Sequence, residues 1–187
     1  MERATYRVDT ASGLLTEARQ IMSPHCDDRP ADADIELLVI HGISLPPGQF
    51  GGTWIEAFFL GGLPAAAHPY FASIAAQQVS AHLLVRRDGE VLQFVPFQQR
   101  AWHAGVSAFQ GRAGCNDFSI GIELEGCDDI PYTDTQYVAL ESISRALMRA
   151  YPAIIPACIV GHSDIAPGRK TDPGPAFDWK RLRDALA

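Results

Sequence analysis

"SIGIELE" (residues 119–125) decides how this chain is read, because its residues alternate without a break. Ile120, Ile122 and Leu124 point to one side of a strand, and Ser119, Gly121, Glu123 and Glu125 to the other. An apolar strand face needs partners. "LLVIH" (residues 37–41) and "CIVGH" (residues 158–162) supply short apolar runs of strand length, of the kind covered on both faces. "SAHLLV" and "VLQFV" flank Asp88-Gly89, the sequence of a tight hairpin. "TWIEAFFL" and "PYFASIAAQQ" read as helices. Thr133 and Gln136 form a capping box ahead of Tyr137, Leu140, Ile143, Leu147 and Tyr151, which recur at helical spacing until Pro152. A last amphipathic helix starts near Asp178.

Strands and helices in this order predict an α/β fold, a central mixed β-sheet flanked by helices. No repeat or linker divides the chain. Residues 1–187 are therefore expected to form a single domain, with 1–34 an irregular lead-in and 35–187 the core. That length suffices for a core without disulfide or metal staples.

A net charge of −7 argues against nucleic acid or an anionic membrane as partner, since both require a basic face. No obligate protein partner is evident. "MERATYRVDT" contains no apolar segment of the signal-peptide kind, so a cytoplasmic location is expected. Cys26, Cys115, Cys127 and Cys158 show no C-x-x-C pairing and are expected to be free thiols, with a disulfide as the minor alternative. Lysine occurs only at Lys170 and Lys180, against thirteen arginines.

The chemistry concentrates where strands end. Two apolar strands run directly into His41 and His162, and Asp172 lies on the Pro- and Gly-rich loop "GHSDIAPGRKTDPG" (residues 161–174). Two imidazoles and a carboxylate suit Zn²⁺, and three protein ligands leave a fourth position open, as catalytic sites do. Spacing alone does not settle it, because lone histidines are more often structural. Glu123 is a candidate general acid/base, with small Ser119 and Gly121 beside it leaving room for a ligand. The same pattern also suits a solvated strand face. Lys170 is a candidate cation for a developing oxyanion, or a solvated surface ammonium. His103, beside Trp102 in "RAWHAG", suits a ligand contact. His82 alternates with apolar residues and suits the core, and His25 and His68 read as structural or exposed. Arg86, Arg87 and Arg112 are candidate carboxylate grips or simply solvated arginines.

Taken together, "LLVIHGISLPPGQFGG", "VSAHLLVRRDGEVLQFVPF", "RAWHAGVSAFQGR", "CNDFSIGIELEG" and "GHSDIAPGRKTDPGPAFDW" resemble the AmpD family almost continuously over residues 37–179. These are cytoplasmic zinc amidases of the N-acetylmuramoyl-L-alanine amidase class, related in fold to peptidoglycan recognition proteins. The resemblance implies one Zn²⁺ per chain held by His41, His162 and Asp172, with Glu123 as acid/base and Lys170 as catalytic lysine. It implies a soluble anhydro-muropeptide substrate, cleaved between the lactyl group of N-acetyl-anhydromuramic acid and L-alanine during peptidoglycan recycling. Trp102 and His103 are expected near that substrate, and Arg86 and Arg112 are expected to bind it. Gly42 departs from the Asn usual at that position, and Gln78 and Gly114 stand where some relatives carry arginine. Three rival readings are a lytic amidase acting on intact wall, a module that binds peptidoglycan without cutting it, and a zinc-free domain whose histidines are only structural.

Overall fold

The computed structural model describes residues 5–187. It opens on a small hairpin of β1 (Val8–Asp9) and β2 (Leu14–Leu15), followed by β3 (Arg19–Gln20) and β4 (Cys26–Asp28). The stretch expected to be an irregular lead-in is thus part of the fold; residues 1–4 of it lie outside the described residues. Tyr6 and Leu15 are buried in the main core. A polar clamp holds Leu15 there: the buried Gln93 side chain accepts from the Leu15 amide at 2.7 Å and donates to the Gly13 carbonyl at 2.9 Å. Side-chain hydrogen bonding does here what hydrophobic periodicity does elsewhere, which is why two-residue strands escape a pattern search.

The core begins at β5 (Leu37–Ile43), followed by α1 (Trp54–Phe59) and α2 (Pro69–Ile74). His68 caps α2, its Nδ1 accepting from the Tyr70 amide at 3.1 Å. The expected hairpin forms as β6 (Leu83–Val85) and β7 (Val91–Gln93), paired antiparallel. Next come β8 (Gln99–Ala101), paired with β4, and the ribbon of β9 (Ala108–Phe109) and β10 (Arg112–Ala113). The alternating stretch is β11 (Ser119–Glu125). The capping box is present at Thr133, opening α3 (Asp134–Ala150). β12 (Ile159–Gly161) starts one residue later than its sequence pattern, because Pro156 initiates a 3₁₀ turn that takes in Cys158. It leads into the single turn of α4 (His162–Ile165), and α5 (Trp179–Leu186) is capped by the Asp178 side chain on the Arg181 amide.

Among the described residues, six strands form one mixed sheet in the order β12-β5-β11-β6-β7-β3, its first four strands parallel. β11 is therefore central, and the alternation has two buried consequences instead of one. Leu38, Ile40, Ile120, Ile122 and Leu124 pack against Leu140, Ile143 and Leu147 of α3. Truncating such a fully buried leucine costs about 2–5 kcal/mol. The opposite face carries two separate apolar clusters, one around Leu37, Val39, Phe118 and Ile165, the other around Leu84, Leu92, Phe59 and Phe94. His41, Gly121 and Glu123 lie on that face by strand alternation. The four cysteines are free.

Candidate metal centre

Parallel pairing places Glu123 opposite His41, and Gly161 opposite Ile40. His162 thus emerges one residue beyond β12, at the sheet edge where His41 already sits. The loop after α4 returns Asp172 to the same point. The Ser163 amide donates to the Asp172 carbonyl at 3.0 Å, and the Tyr132 hydroxyl donates to the Pro173 carbonyl at 2.9 Å. Arg169 ties the loop down by donating to the carbonyls of Ala104 and Val106, at 2.6 and 2.8 Å.

Three atoms converge. His41 Nδ1 is 3.0 Å from His162 Nδ1 and 3.2 Å from Asp172 Oδ2, and His162 Nδ1 is 3.1 Å from the same oxygen. Donors about 2.0–2.1 Å from a tetrahedral zinc stand about 3.3–3.4 Å apart, so this triangle is a slightly contracted face of such a tetrahedron. The donor chemistry agrees. His162 Nε2 faces the Ala104 carbonyl at 3.3 Å, and His41 Nε2 faces His103 at 2.9 Å. Holding a cation at this point requires both Nε2 protons to be directed outward, so that both Nδ1 lone pairs meet the carboxylate oxygen there. Two lone pairs and an anion around one point fit a cation.

Electrostatics follow from burial. His41, only 1% exposed, has its pKa pulled down to about 4 by desolvation, partly opposed by the adjacent Asp172 carboxylate, which favours the protonated ring. Burial works against charge on Asp172, yet its contacts with His162 and His41 outweigh that and hold the carboxyl well below the usual range. Glu123 moves the other way. Desolvation, reinforced by the Asp172 charge and opposed by Lys170, raises it well above an ordinary glutamate. Its Oε2 is enclosed and lacks a hydrogen-bond partner in the protein. A buried carboxyl oxygen left free beside a candidate cation site is placed to exchange a proton with something that enters.

A pocket of about 510 Å³ opens on this point, lined by Glu123, His162, Lys170, Asp172, Trp102 and His103 among others. Leu45, Phe58, Phe59 and Ile74 give it an apolar wall. Trp102 is fixed by donating to Asp27 Oδ1 at 2.9 Å and stacking on His25. Of the residues expected from sequence, His41, His162 and Asp172 meet, and Glu123, Lys170, Trp102 and His103 share their pocket. Arg86 and Arg112 do not. Arg86 is paired with Glu56 and Glu90, and Arg112 is paired with Glu36 and stacked over Phe118. Long-range pairing of this kind leaves no sequence signature. Glu125 is 2% exposed and also committed, accepting from the amides of Gly51 and Arg87 at 2.5 and 3.1 Å. The strand face carrying both glutamates is enclosed, which removes the solvated-face reading.

Two glycines show what the local sequence accommodates. A Cβ at Gly121 would stand 2.5 Å from His103 Cγ and Nδ1, so the room beside Glu123 is filled by the His103 ring and is not free for a ligand. A Cβ at Gly42 would stand 2.3 Å from the Tyr132 hydroxyl, which occupies the space a side chain there would need. Sequence reading missed Arg29. Its guanidinium donates to the carbonyls of Phe97, Asn116, Asp117 and Ser119, at 3.1, 3.0, 3.0 and 2.7 Å, and lies 3.0 Å from His82 Nε2.

Comparison with known proteins identifies the family. The sequence profile of N-acetylmuramoyl-L-alanine amidases matches residues 31–175. The 1,6-anhydro-N-acetylmuramyl-L-alanine amidase AmpD of Escherichia coli K12 is 61% identical over 171 residues, 91% of this chain and 93% of that protein. A crystal structure of a selenomethionine AmpD derivative superposes with a TM-score of 0.92 at 59% identity, covering 96% of this chain and 99% of the other. The amidase AmiD of E. coli, solved with its substrate anhydro-N-acetylmuramic acid-L-Ala-D-γ-Glu-L-Lys, superposes with a TM-score of 0.60 at 32% identity, over 84% of this chain and 60% of that one. With profile, relatives and fold all in agreement, the chain belongs to the N-acetylmuramoyl-L-alanine amidase family and is a hydrolase of that class.

Proposed function

We propose that the chain is a single-domain, zinc-dependent, cytoplasmic enzyme of peptidoglycan recycling. It hydrolyses the amide between the lactyl group of anhydro-N-acetylmuramic acid and L-alanine in soluble muropeptides. The observation that carries this reading is the convergence of His41 Nδ1, His162 Nδ1 and Asp172 Oδ2 within one pocket that also holds Glu123 and Lys170. The names of the E. coli relatives supply the substrate class. Among the described residues no helix is long and apolar enough to cross a membrane.

His41, His162 and Asp172 would hold the zinc, which when bound supplies Lewis acidity to a carbonyl and acidity to a water. Glu123 accepts the proton of the attacking water and returns it to the departing nitrogen. Burial and the Asp172 charge raise its pKa, which makes it a stronger base toward that proton than an ordinary glutamate. Lys170 directs an ammonium at the developing oxyanion. Trp102 lines the pocket with a fixed ring, and the apolar wall excludes water from the bound amide.

The test is to incubate the protein with anhydro-muropeptide and with intact sacculi and to identify released fragments by mass. Free peptide and anhydro sugar from the soluble substrate, with little from sacculi, is the expected result. Comparable release from sacculi would favour a lytic amidase. Binding without release would favour a recognition module.

A further inference from the structure

His41 serves a cation only if its Nδ1 carries a lone pair, and what guarantees this lies two residues away from the metal triangle. A neutral imidazole carries its proton on one nitrogen or the other. His162 has a backbone carbonyl, that of Ala104, 3.3 Å from its Nε2 and able only to accept; Arg169 Nη2, 3.4 Å from the same nitrogen, already donates to that carbonyl and to that of Val106. His41 has no such partner. Its Nε2 meets another imidazole, His103 Nδ1, at 2.9 Å. That contact alone permits both directions, and the Asp172 carboxylate, 3.2 Å from Nδ1 and able only to accept, favours the wrong one, which would put the His41 proton on Nδ1, inside the triangle.

The direction is set further out. His103 Nε2 is 3.1 Å from Ser119 Oγ, and Ser119 Oγ is 2.6 Å from the Cys115 carbonyl. The carbonyl can only accept, so the single hydroxyl proton goes to it and Ser119 Oγ is left to accept. We propose that Ser119 and His103 are positioning residues, forming a one-way relay in which Ser119 donates to Cys115, His103 Nε2–H donates to Ser119, and His41 Nε2–H donates to His103. The relay holds His41 in the tautomer whose Nδ1 lone pair faces Asp172 and His162.

Three features support the relay. The His103 ring is locked against Gly121, where any Cβ would overlap it. Its backbone is fixed too, because the amides of His103 and Ala104 both donate to Asn116 Oδ1, at 3.1 and 2.8 Å. Ser119 is wholly buried, so no water competes for its hydroxyl. Outer partners of metal-binding histidines are typically carboxylates, carbonyls or water. An imidazole in that place needs its own tautomer fixed, and Ser119 does this.

The inference rests on reading the triangle as a metal site, but its test separates the two. In metal-free full-length protein with ¹⁵N-labelled histidine, long-range ¹H–¹⁵N spectra report each tautomer directly. Wild type should show His41 and His103 both protonated at Nε2. Ser119→Ala should shift His103 and His41 toward Nδ1–H, and should weaken zinc binding, measured by chelator competition, by about tenfold or more. His103→Asn, which keeps an acceptor near the Nδ1 position, should bind zinc more tightly than His103→Ala. A wild-type His41 protonated at Nδ1 would overturn the relay, as would a Ser119→Ala protein with unchanged tautomers and zinc affinity within twofold of wild type. If Ser119→Ala fails to fold, the wild-type spectrum and the two His103 variants decide. A wild-type protein that showed the expected tautomers yet bound no zinc would sink the proposed function and leave the relay standing.

Discussion

Two buried histidine groups lie close together on one face of the sheet, and they are built to opposite ends. His82 is wholly enclosed and every ring nitrogen is taken by backbone: Nδ1 accepts from the Gly121 amide at 3.0 Å, and Nε2 faces the Gln99 carbonyl at 3.1 Å. Arg29 beside it spends its donors on four carbonyls. His41 and His162 are equally buried, but their Nδ1 atoms converge on Asp172. Burial depresses both His41 and His82, so a shifted pKa does not distinguish them. What distinguishes them is where the lone pairs go. A closed set of hydrogen bonds stabilises, whereas a convergent set of acceptors waits for a cation.

The sharpest contrast should come from Glu123, the group in the open cluster with an unpartnered oxygen. Glu123→Ala should lower turnover by about 10²–10⁴-fold, the usual contribution of a general acid/base. Zinc content should stay at one per chain, because Glu123 is not among the converging ligands. Turnover on one muropeptide alongside metal analysis checks this, and loss of metal in the variant would merge the two roles. Chelation should abolish turnover and leave the circular dichroism spectrum largely intact, since the core does not depend on the triangle.

Lys170 comes next. Lys170→Ala should cost about 10²–10³-fold in turnover, as loss of an oxyanion donor does elsewhere. Lys170→Arg should lie nearer to alanine than to wild type, because a broad planar fork does not replace a compact ammonium. Near-wild-type turnover in the arginine variant would reduce Lys170 to a generic positive charge.

Much of this contrast was legible in sequence. His41 and His162 stood out because each ends an apolar strand, and the strong alternation of "SIGIELE" placed Glu123 on the same side as Gly121. The resemblance to a known family then gave each an expected role. The closed cluster was not legible. His82 read as a core residue, but its partner Arg29 sits in "CDDRPADAD", where nothing periodic marks it. Four carbonyls far apart in sequence select it, and only the folded chain brings them together. His103 shows the same limit. Its place in "RAWHAG" pointed to a ligand contact, and it does line the pocket, but its hydrogen bonds run to His41 and Ser119. Arg86 and Arg112 are engaged elsewhere for a related reason: Glu56 and Glu36 lie 30 and 76 residues away, and Glu90 completes the Arg86 pairing from four residues on.

Breaking the closed cluster should act on stability and spare the chemistry. Arg29→Met removes four hydrogen bonds from a buried cation and leaves carbonyls without donors. A hydrogen bond to a charged group contributes about 1.5–3 kcal/mol, part of it recovered as desolvation of the cation, so a net loss of about 2–4 kcal/mol is expected. Urea unfolding measures it. Turnover per folded molecule should fall less than tenfold, far less than for Glu123→Ala. A catalytic loss as large as that of Glu123→Ala would mean that the two clusters function as one.

The smallest effect is a pH slope, and it tests whether His82 is truly closed. Burial first, and then the Arg29 charge, hold His82 well below an ordinary histidine, with His41 adding to the effect. His103 packs edge-on beside it. The folded chain therefore keeps His82 neutral where the unfolded chain would protonate it. A group with its folded pKa depressed contributes stability that is complete above the unfolded value, about 6.5, and that declines as pH falls below it. Each such histidine removes about 1.4 kcal/mol per pH unit over that range. Metal-free protein should thus lose stability between pH 7.5 and pH 5.5, with His41 and His103 contributing in the same direction and the raised Glu123 opposing them. His82→Gln retains an acceptor and a donor for Gly121 and Gln99 but cannot titrate. Its loss over the same interval should be smaller than the wild-type loss by about 1.3 kcal/mol, read from urea midpoints at the two pH values. An unchanged slope would mean that His82 takes up a proton within the fold, and the closed side of the comparison would open.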